Sequence, residues 1–143
     1  MNIYLSGTIT PDPKHNAWRA VFHEQFTLDG HDVYDPMRFK NIADLDAKGY
    51  TSAIPPSLFT ARDKADIMKS DVMIVVFKRG LKRQSIGTWW ECGWADLMNI
   101  PLIVMTDDPD VMNHPFILKW AALVAKTPEA VIQAVRFLDK SAR

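Results

Sequence analysis

Glu91 stands in the stretch SIGTWWECGWAD, Ser85 to Asp96, among Trp89, Trp90 and Trp94. A carboxylate partly stripped of water has a raised pKa, and its anion is a stronger nucleophile. Gly87 and Thr88 precede it where a helix should begin. A glycine there lets backbone N–H groups approach an anion in the positive field of the helix end, and Ser85 adds a hydroxyl. A plainer reading fits the same residues, because T-x-x-E is a capping box with Thr88 as cap and Glu91 as its N3 partner. Asp63, eight residues before Asp71, is either a second working carboxylate or a solvated helix residue. Asp71 reads as a strand-start or cap residue. Lys78, Arg79, Lys82 and Arg83 form either a solvated basic loop or a phosphate clamp beside Ser85. The histidines at 15, 23, 31 and 114 lack metal-ligand spacing, so no metal is expected. Cys92 has no evident base partner and reads as a buried hydrophobe.

These residues need elements to hold them. Ile3–Ser6 is an apolar run ending at Gly7 and predicts a buried first strand. Trp18, Val21, Phe22 and Phe26 recur at helical spacing within Pro13–Leu28, and Gly30 supplies the left-handed stop. HDVYDP gives a second strand ended by Pro36. Residues Met37 to Pro56 read as a long loop with one helical turn, and such a loop in a compact domain is often functional. Ser57–Lys69 predicts a helix with Ser57 as candidate cap and Leu58, Ala61, Ala65 and Met68 on one face. DVMIVVF, apolar without alternation, predicts a strand buried on both faces. A helix from about Thr88 to Asn99, the strand PLIVM, a loop TDDPDVMNHP and a last strand KWAALVA follow. Thr127-Pro128-Glu129 then opens a final helix running to about Leu138.

Strand and helix alternate about five times. This pattern predicts an α/β fold: one doubly wound five-stranded parallel sheet in a flavodoxin- or Rossmann-like three-layer sandwich. In such sheets ligands bind beyond the carboxyl ends of the strands. That rule selects Ser6, Gly7 and Thr8 after the first strand, Asp35 to Arg38 after the second, and Lys78 to Glu91 after the third. A capping-box glutamate would face the same crevice, so the two readings of Glu91 are compatible.

The chain of 143 residues suits one domain, and its 48% apolar content suffices for a core. Lysine plus arginine equals aspartate plus glutamate at 17 each, which argues against a binder of nucleic-acid polymers. A small anion held by local cations remains compatible with that balance. One cysteine forms no internal disulfide and fits a reducing compartment. No basic-then-apolar leader is seen, and no apolar run approaches the roughly 20 residues of a membrane span. A cytoplasmic protein without membrane contact is therefore expected.

Three fragments together resemble the nucleoside 2-deoxyribosyltransferase family and its relatives that hydrolyse nucleoside monophosphates. They are IYLSG at the start, RDKADIMKSDVMIVV in the middle, and SIGTWWECGWA after it. The pattern is a Tyr in the first strand, an Asp eight residues before the Asp of the third strand, and Glu-x-Gly-x-Ala. Tyr4, Asp63 with Asp71, and Glu91 with Gly93 and Ala95 meet it. The resemblance implies one deoxyribosyltransferase-like domain over residues 1–143. It implies Glu91 as the nucleophile at the anomeric carbon, Tyr4 orienting it, and Asp63 protonating the departing base. The chemistry would be that of a retaining glycosidase, with no cofactor. Six residues before the glutamate the transferases carry an aspartate that holds the sugar 5′-hydroxyl, and the nucleotide hydrolases carry a serine that accepts a 5′-phosphate. Ser85 therefore implies a nucleoside 5′-monophosphate, with Arg83 or Lys82 close by, passing its sugar to water or to another base. Ser6, Gly7, Asp35, Arg38, Arg83, Ser85, Gly87 and Thr88 are the expected substrate contacts. The base-reading glutamine of the transferases is replaced by DPMRF, and their asparagine from a neighbouring subunit has no counterpart in KWAALVAKT. A homodimer or higher homo-oligomer with shared sites is still what the family implies. Two other readings stand beside this one. Gly87, Thr88 and Glu91 meet the GTxxE fragment of phosphoribohydrolases, whose preceding Pro-Gly-Gly is absent here. A nucleotide-sensing module without turnover is also compatible with the same fold.

Overall fold

The structure, a computed structural model, describes residues 1–40, 54–81 and 84–142. The elements are β1 (Asn2–Gly7), α1 (Pro13–Leu28), β2 (Asp32–Tyr34), α2 (Pro56–Lys69), β3 (Val72–Val76), α3 (Ile86–Leu97), β4 (Leu102–Met105), α4 (Pro109–Met112), α5 (Pro115–Trp120), β5 (Ala121–Ala125) and α6 (Pro128–Ala142). The five strands pair in parallel in the order β2-β1-β3-β4-β5. This is the predicted doubly wound α/β sheet. The order reverses between β1 and β3, so the ends of those two strands define the crevice.

The pleat sorts the core. Ile3 and Leu5 of β1, with Val72, Ile74 and Val76 of β3, face Trp18, Phe22 and Phe26 of α1 and Val131 and Val135 of α6. Tyr4, Met73 and Val75 join the opposite cluster, with Ile67 of α2, Cys92 and Ala95 of α3, and Ile117 of α5. Alternate residues of a strand point to opposite faces, so Ser6 shares the α3 side with Tyr4. β3 is buried throughout, as its unbroken apolar run requires. Among the described residues no helix is long and apolar enough to cross a membrane.

Local chemistry explains the helix ends. Asp12 caps α1 by accepting from the Lys14 N–H at 2.9 Å. Gly30 has φ of +82°, and the His31 N–H returns to the Phe26 carbonyl at 2.9 Å while Gly30 reaches Thr27 at 3.0 Å. That is the Schellman stop the sequence predicts. At α6 the Ala130 N–H donates to Thr127 Oγ1 at 3.3 Å, again as predicted.

Several expectations are corrected. Ser57 does not cap α2. Pro55 precedes it with no side-chain cap, because Pro56 suits the first helical position and forces the residue before it into extended geometry. The buried face of α2 is Phe59, Asp63, Asp66 and Ile67, while Leu58 and Met68 are 61% and 63% exposed. Two carboxylates on the inward face break its apolar periodicity. Val21 of α1 is likewise half exposed. α3 starts at Ile86 on a Ser85 cap, two residues before the expected Thr88. The capping box on Thr88 is not formed, and Glu91 falls in the second turn. The segment read as the loop TDDPDVMNHP contains α4, capped by Asp108. Lys119 and Trp120, expected in the last strand, end α5 instead. Most of the loop read over Met37 to Pro56 lies outside the described residues.

Candidate active site

The ends of β1 and β3 and the starts of α2 and α3 enclose a cleft of about 1430 Å³, larger than the roughly 300–1,000 Å³ of an ordinary small-molecule site. Gly7, Asp63, Ser85, Gly87, Thr88 and Glu91 line it. Tyr4 and Ser6 stand behind Glu91. Their spacing on one face of β1 lets both reach its carboxylate. Tyr4 Oη donates to Oε1 at 2.9 Å, and Ser6 Oγ donates to Oε2. Both carboxylate oxygens are thus fixed by hydroxyl donors from a buried strand.

This setting tunes charge. Burial pushes the Glu91 carboxyl up to about 7; the hydrogen bonds from Ser6 and Tyr4 restrain the rise, and the negative charge of Asp63 adds to it. Burial, with Glu91 beside it, holds the Tyr4 phenol well above its ordinary range, so Tyr4 stays a donor. Asp63 is raised by burial and restrained by Arg62, whose Nη2 donates to Asp63 Oδ1 at 3.1 Å. Burial likewise pushes the Cys92 thiol up, and this buried, free cysteine packs in the core as the sequence suggests.

The tryptophans divide. Trp89 packs 4.9 Å from Phe77 and from His114 and 6.3 Å from Trp120, in the core cluster beneath α3. Trp90 and Trp94 line the cleft with Glu91. Two of the three tryptophans therefore share the cleft with Glu91, and Trp90 is 64% exposed there.

Ser85 caps α3, its Oγ accepting from the Thr88 N–H at 3.4 Å. Its own N–H donates to Thr8 Oγ1 at 3.1 Å. The N–H groups of Ile86 and Gly87 in the first turn have no intrahelical partner by helix geometry. Gly7 is dictated by contact: a Cβ there would meet Trp18 Cζ2 at 2.7 Å and the Val76 carbonyl oxygen at 3.0 Å. Gly7→Ala should cost about 1–3 kcal/mol through overpacking, seen as a lower urea midpoint. An unchanged midpoint would show that this contact relaxes freely.

Two expected substrate contacts are placed elsewhere. Asp35 accepts from Arg19 at 2.8 Å and from the Met37 N–H at 2.8 Å. Arg38 pairs with Asp66 and lies over the Tyr34 ring, 5.8 Å from its centroid. Neither lines the cleft. Both are committed to ion pairs that balance buried charge. Ser6 also changes role, since it holds Glu91. Arg83 and Lys82 lie outside the described residues.

Arg19, Lys40 and Phe59 were not anticipated. Arg19 is 3% exposed and donates to the Leu5 and Gly7 carbonyls at 3.2 and 2.8 Å, clamping the end of β1. Its signal was a guanidinium between Trp18 and Phe22 on an otherwise apolar helix face. Lys40 and Phe59 line the cleft, and no sequence pattern marked them. Among the described residues no three His, Cys, Asp or Glu side chains cluster as metal ligands.

No family model matches the sequence, and no curated protein matches it. Solved structures do. A 2-deoxyribosyltransferase from Bacillus psychrosaccharolyticus superposes with TM-score 0.70 at 15% identity, over 91% of this chain and 89% of the other. A CMP N-glycosidase from Clostridium botulinum gives 0.61 at 15% identity, over 94% and 98%. A 2-deoxyribosyltransferase from Leishmania mexicana gives 0.57 at 16% identity, over 74% and 64%. The chain shares the overall fold of these solved structures.

Proposed function

We propose that this protein cleaves the N-glycosidic bond of a nucleoside 5′-monophosphate, passing the sugar to water or to a second base. The observation that carries this reading is one carboxylate, Glu91, held at both oxygens by Tyr4 and Ser6 in a cleft shared with Asp63. A Glu91 oxygen attacks C1′ while the N–C1′ bond breaks. The bond's electron pair leaves with the base, and Asp63 gives its proton to that base. Water or a second base then takes the sugar from the Glu91 ester, gives its proton to Asp63 and regenerates the Glu91 carboxylate. Tyr4 and Ser6 keep the anion aimed. The structures of similar fold named as a deoxyribosyltransferase and a CMP N-glycosidase support this chemistry.

The α3 start supports the phosphate. Ser85 and Thr88 hydroxyls, first-turn N–H groups and the helix field suit an anion. The reading includes a homodimer, with a second copy covering Ile86 and Trp90, which are 67% and 64% exposed at the cleft rim.

The test is a panel of nucleoside monophosphates and free nucleosides, with and without a second base, followed by chromatography for released or exchanged base. Tight nucleotide binding without either product at high enzyme concentration would favour a sensing module. Ser85→Asp sharpens the phosphate claim, because aspartate caps a helix as well as serine does yet repels a phosphate by roughly 1–4 kcal/mol. The variant should lose its preference for the monophosphate by about fivefold or more. An unaltered preference in kcat/KM removes the role given to Ser85.

A further inference from the structure

Among the charged groups of the cleft that the chemistry above leaves unused is Lys40. Lys40 lies just beyond β2, its Nζ 4.7 Å from the centroid of the Phe59 ring, and it lines the cleft with Phe59, Asp63 and Glu91. Its charge is felt by Asp63, and the Asp63 and Glu91 carboxylates act on it in turn. Balancing Asp63 does not require it, because Arg62 already bonds that carboxylate through Nε at 3.3 Å and Nη2 at 3.1 Å.

Its place in the cleft is informative. Pro36, Lys40, Phe59 and Asp63 come from the β2–α2 side, whereas Gly80, Ser85 and Gly87 come from the β3–α3 side. A nucleotide with C1′ at Glu91 and its phosphate at Ser85 has its base on the side of Lys40. We infer that Lys40 donates to a ring carbonyl oxygen beside the glycosidic nitrogen, as in O2 of an oxo-pyrimidine, and stabilises the charge that gathers there as the bond breaks. This inference rests on the glycosyl-cleavage reading.

The chemistry suits a lysine. Its ammonium is a compact charge with three donors and no acceptor. The pair from the N–C1′ bond spreads over the ring nitrogen and the adjacent oxygen. A fixed cation there gains strength as that charge develops, which lowers the barrier more than it tightens ground-state binding. Asp63 supplies the transferred proton, and Lys40 keeps its own. Adenine carries no ring carbonyl, so the site favours oxo-pyrimidines as leaving bases.

The experiment compares Lys40→Met and Lys40→Arg with wild type on deoxyuridine monophosphate and its 5-fluoro analogue, whose base leaves more readily as an anion. Lys40→Met should lower kcat for the uracil substrate by about 10²-fold, with KM within a few fold, and by several-fold less for the fluorouracil substrate. Lys40→Arg should recover part of the loss. Free uracil binding, followed by ligand-observed NMR, should weaken by a few fold in Lys40→Met, in step with KM. Equal losses on both substrates, or uracil binding unaltered in Lys40→Met, would overturn the inference. Absence of turnover in wild type would overturn the glycosyl reading and with it the catalytic part of this inference, and the uracil comparison would then decide only the contact between Lys40 and the ring carbonyl.

Discussion

Glu91→Gln should lower base release by at least roughly 10³-fold while leaving nucleotide binding in place, because an amide cannot form the ester with C1′. Glutamine matches the shape of glutamate, and its carbonyl can still accept from one of the two β1 hydroxyls, so the cleft should persist. Full activity in this variant would rule out a covalent role for residue 91. The same substitution carries a stability signature. The Glu91 carboxyl is raised from 4.5 to about 7, so the native state holds the proton more tightly than the unfolded chain does. The corresponding stability is complete below the unfolded value and is lost as pH rises through about 7. Across that window the ionised form costs the fold up to about 3 kcal/mol. Glu91→Gln never ionises. Its stability relative to wild type should therefore increase between pH 5 and 8.5, as measured by urea unfolding. A constant difference would show that the carboxylate is better hydrated than its burial suggests.

Asp63→Asn should cost about 10²–10⁴-fold in kcat on a poor leaving base, the range for a lost general acid. Two features distinguish this from a packing defect. The loss should shrink with a base that leaves readily without protonation. The pH profile should also change in a defined direction. In wild type the reaction needs Glu91 ionised and Asp63 protonated, so kcat/KM depends on both titrations. Removing Asp63 removes a like charge that disfavours the Glu91 anion, so the dependence on Glu91 should move to lower pH while the dependence on Asp63 disappears. A profile of unchanged shape would take Asp63 out of the proton transfer. Arg62 works against the protonated form by bonding Oδ1, and burial works for it. The direction of the net shift is upward, as an acid requires.

Much of this was legible in the chain. The unbroken VMIVV run demanded a strand buried on both faces, and the alternation of elements then demanded a parallel sheet. The glutamate among tryptophans was visible as a local oddity. Its two hydroxyl partners were less so: Tyr4 came from resemblance, and Ser6 was assigned to substrate. Their true relation to Glu91 depends on strand pleat and helix placement across a separation of more than 80 residues. The inward face of α2 is not legible from apolar spacing, because Asp63 and Asp66 occupy positions where that pattern expects aliphatic side chains. Asp35 and Arg38 sit where the strand-end rule puts ligand contacts. Buried charge on Arg19 and Asp66 claims them first, and sequence spacing carries no sign of such pairings. The start of α3 was ambiguous because Ser85 and Thr88 are both good caps, and only packing chooses between them.

β1 is paired on both edges, with β2 on one side and β3 on the other, and Tyr4 and Ser6 are buried within it. Backbone amides in such a strand open to exchange only with the cooperative unit that contains the whole sheet. The hydroxyls that aim Glu91 therefore cannot loosen by local fraying, as a loop-borne clamp could. Heat would disarm this carboxylate only by melting the protein that holds it.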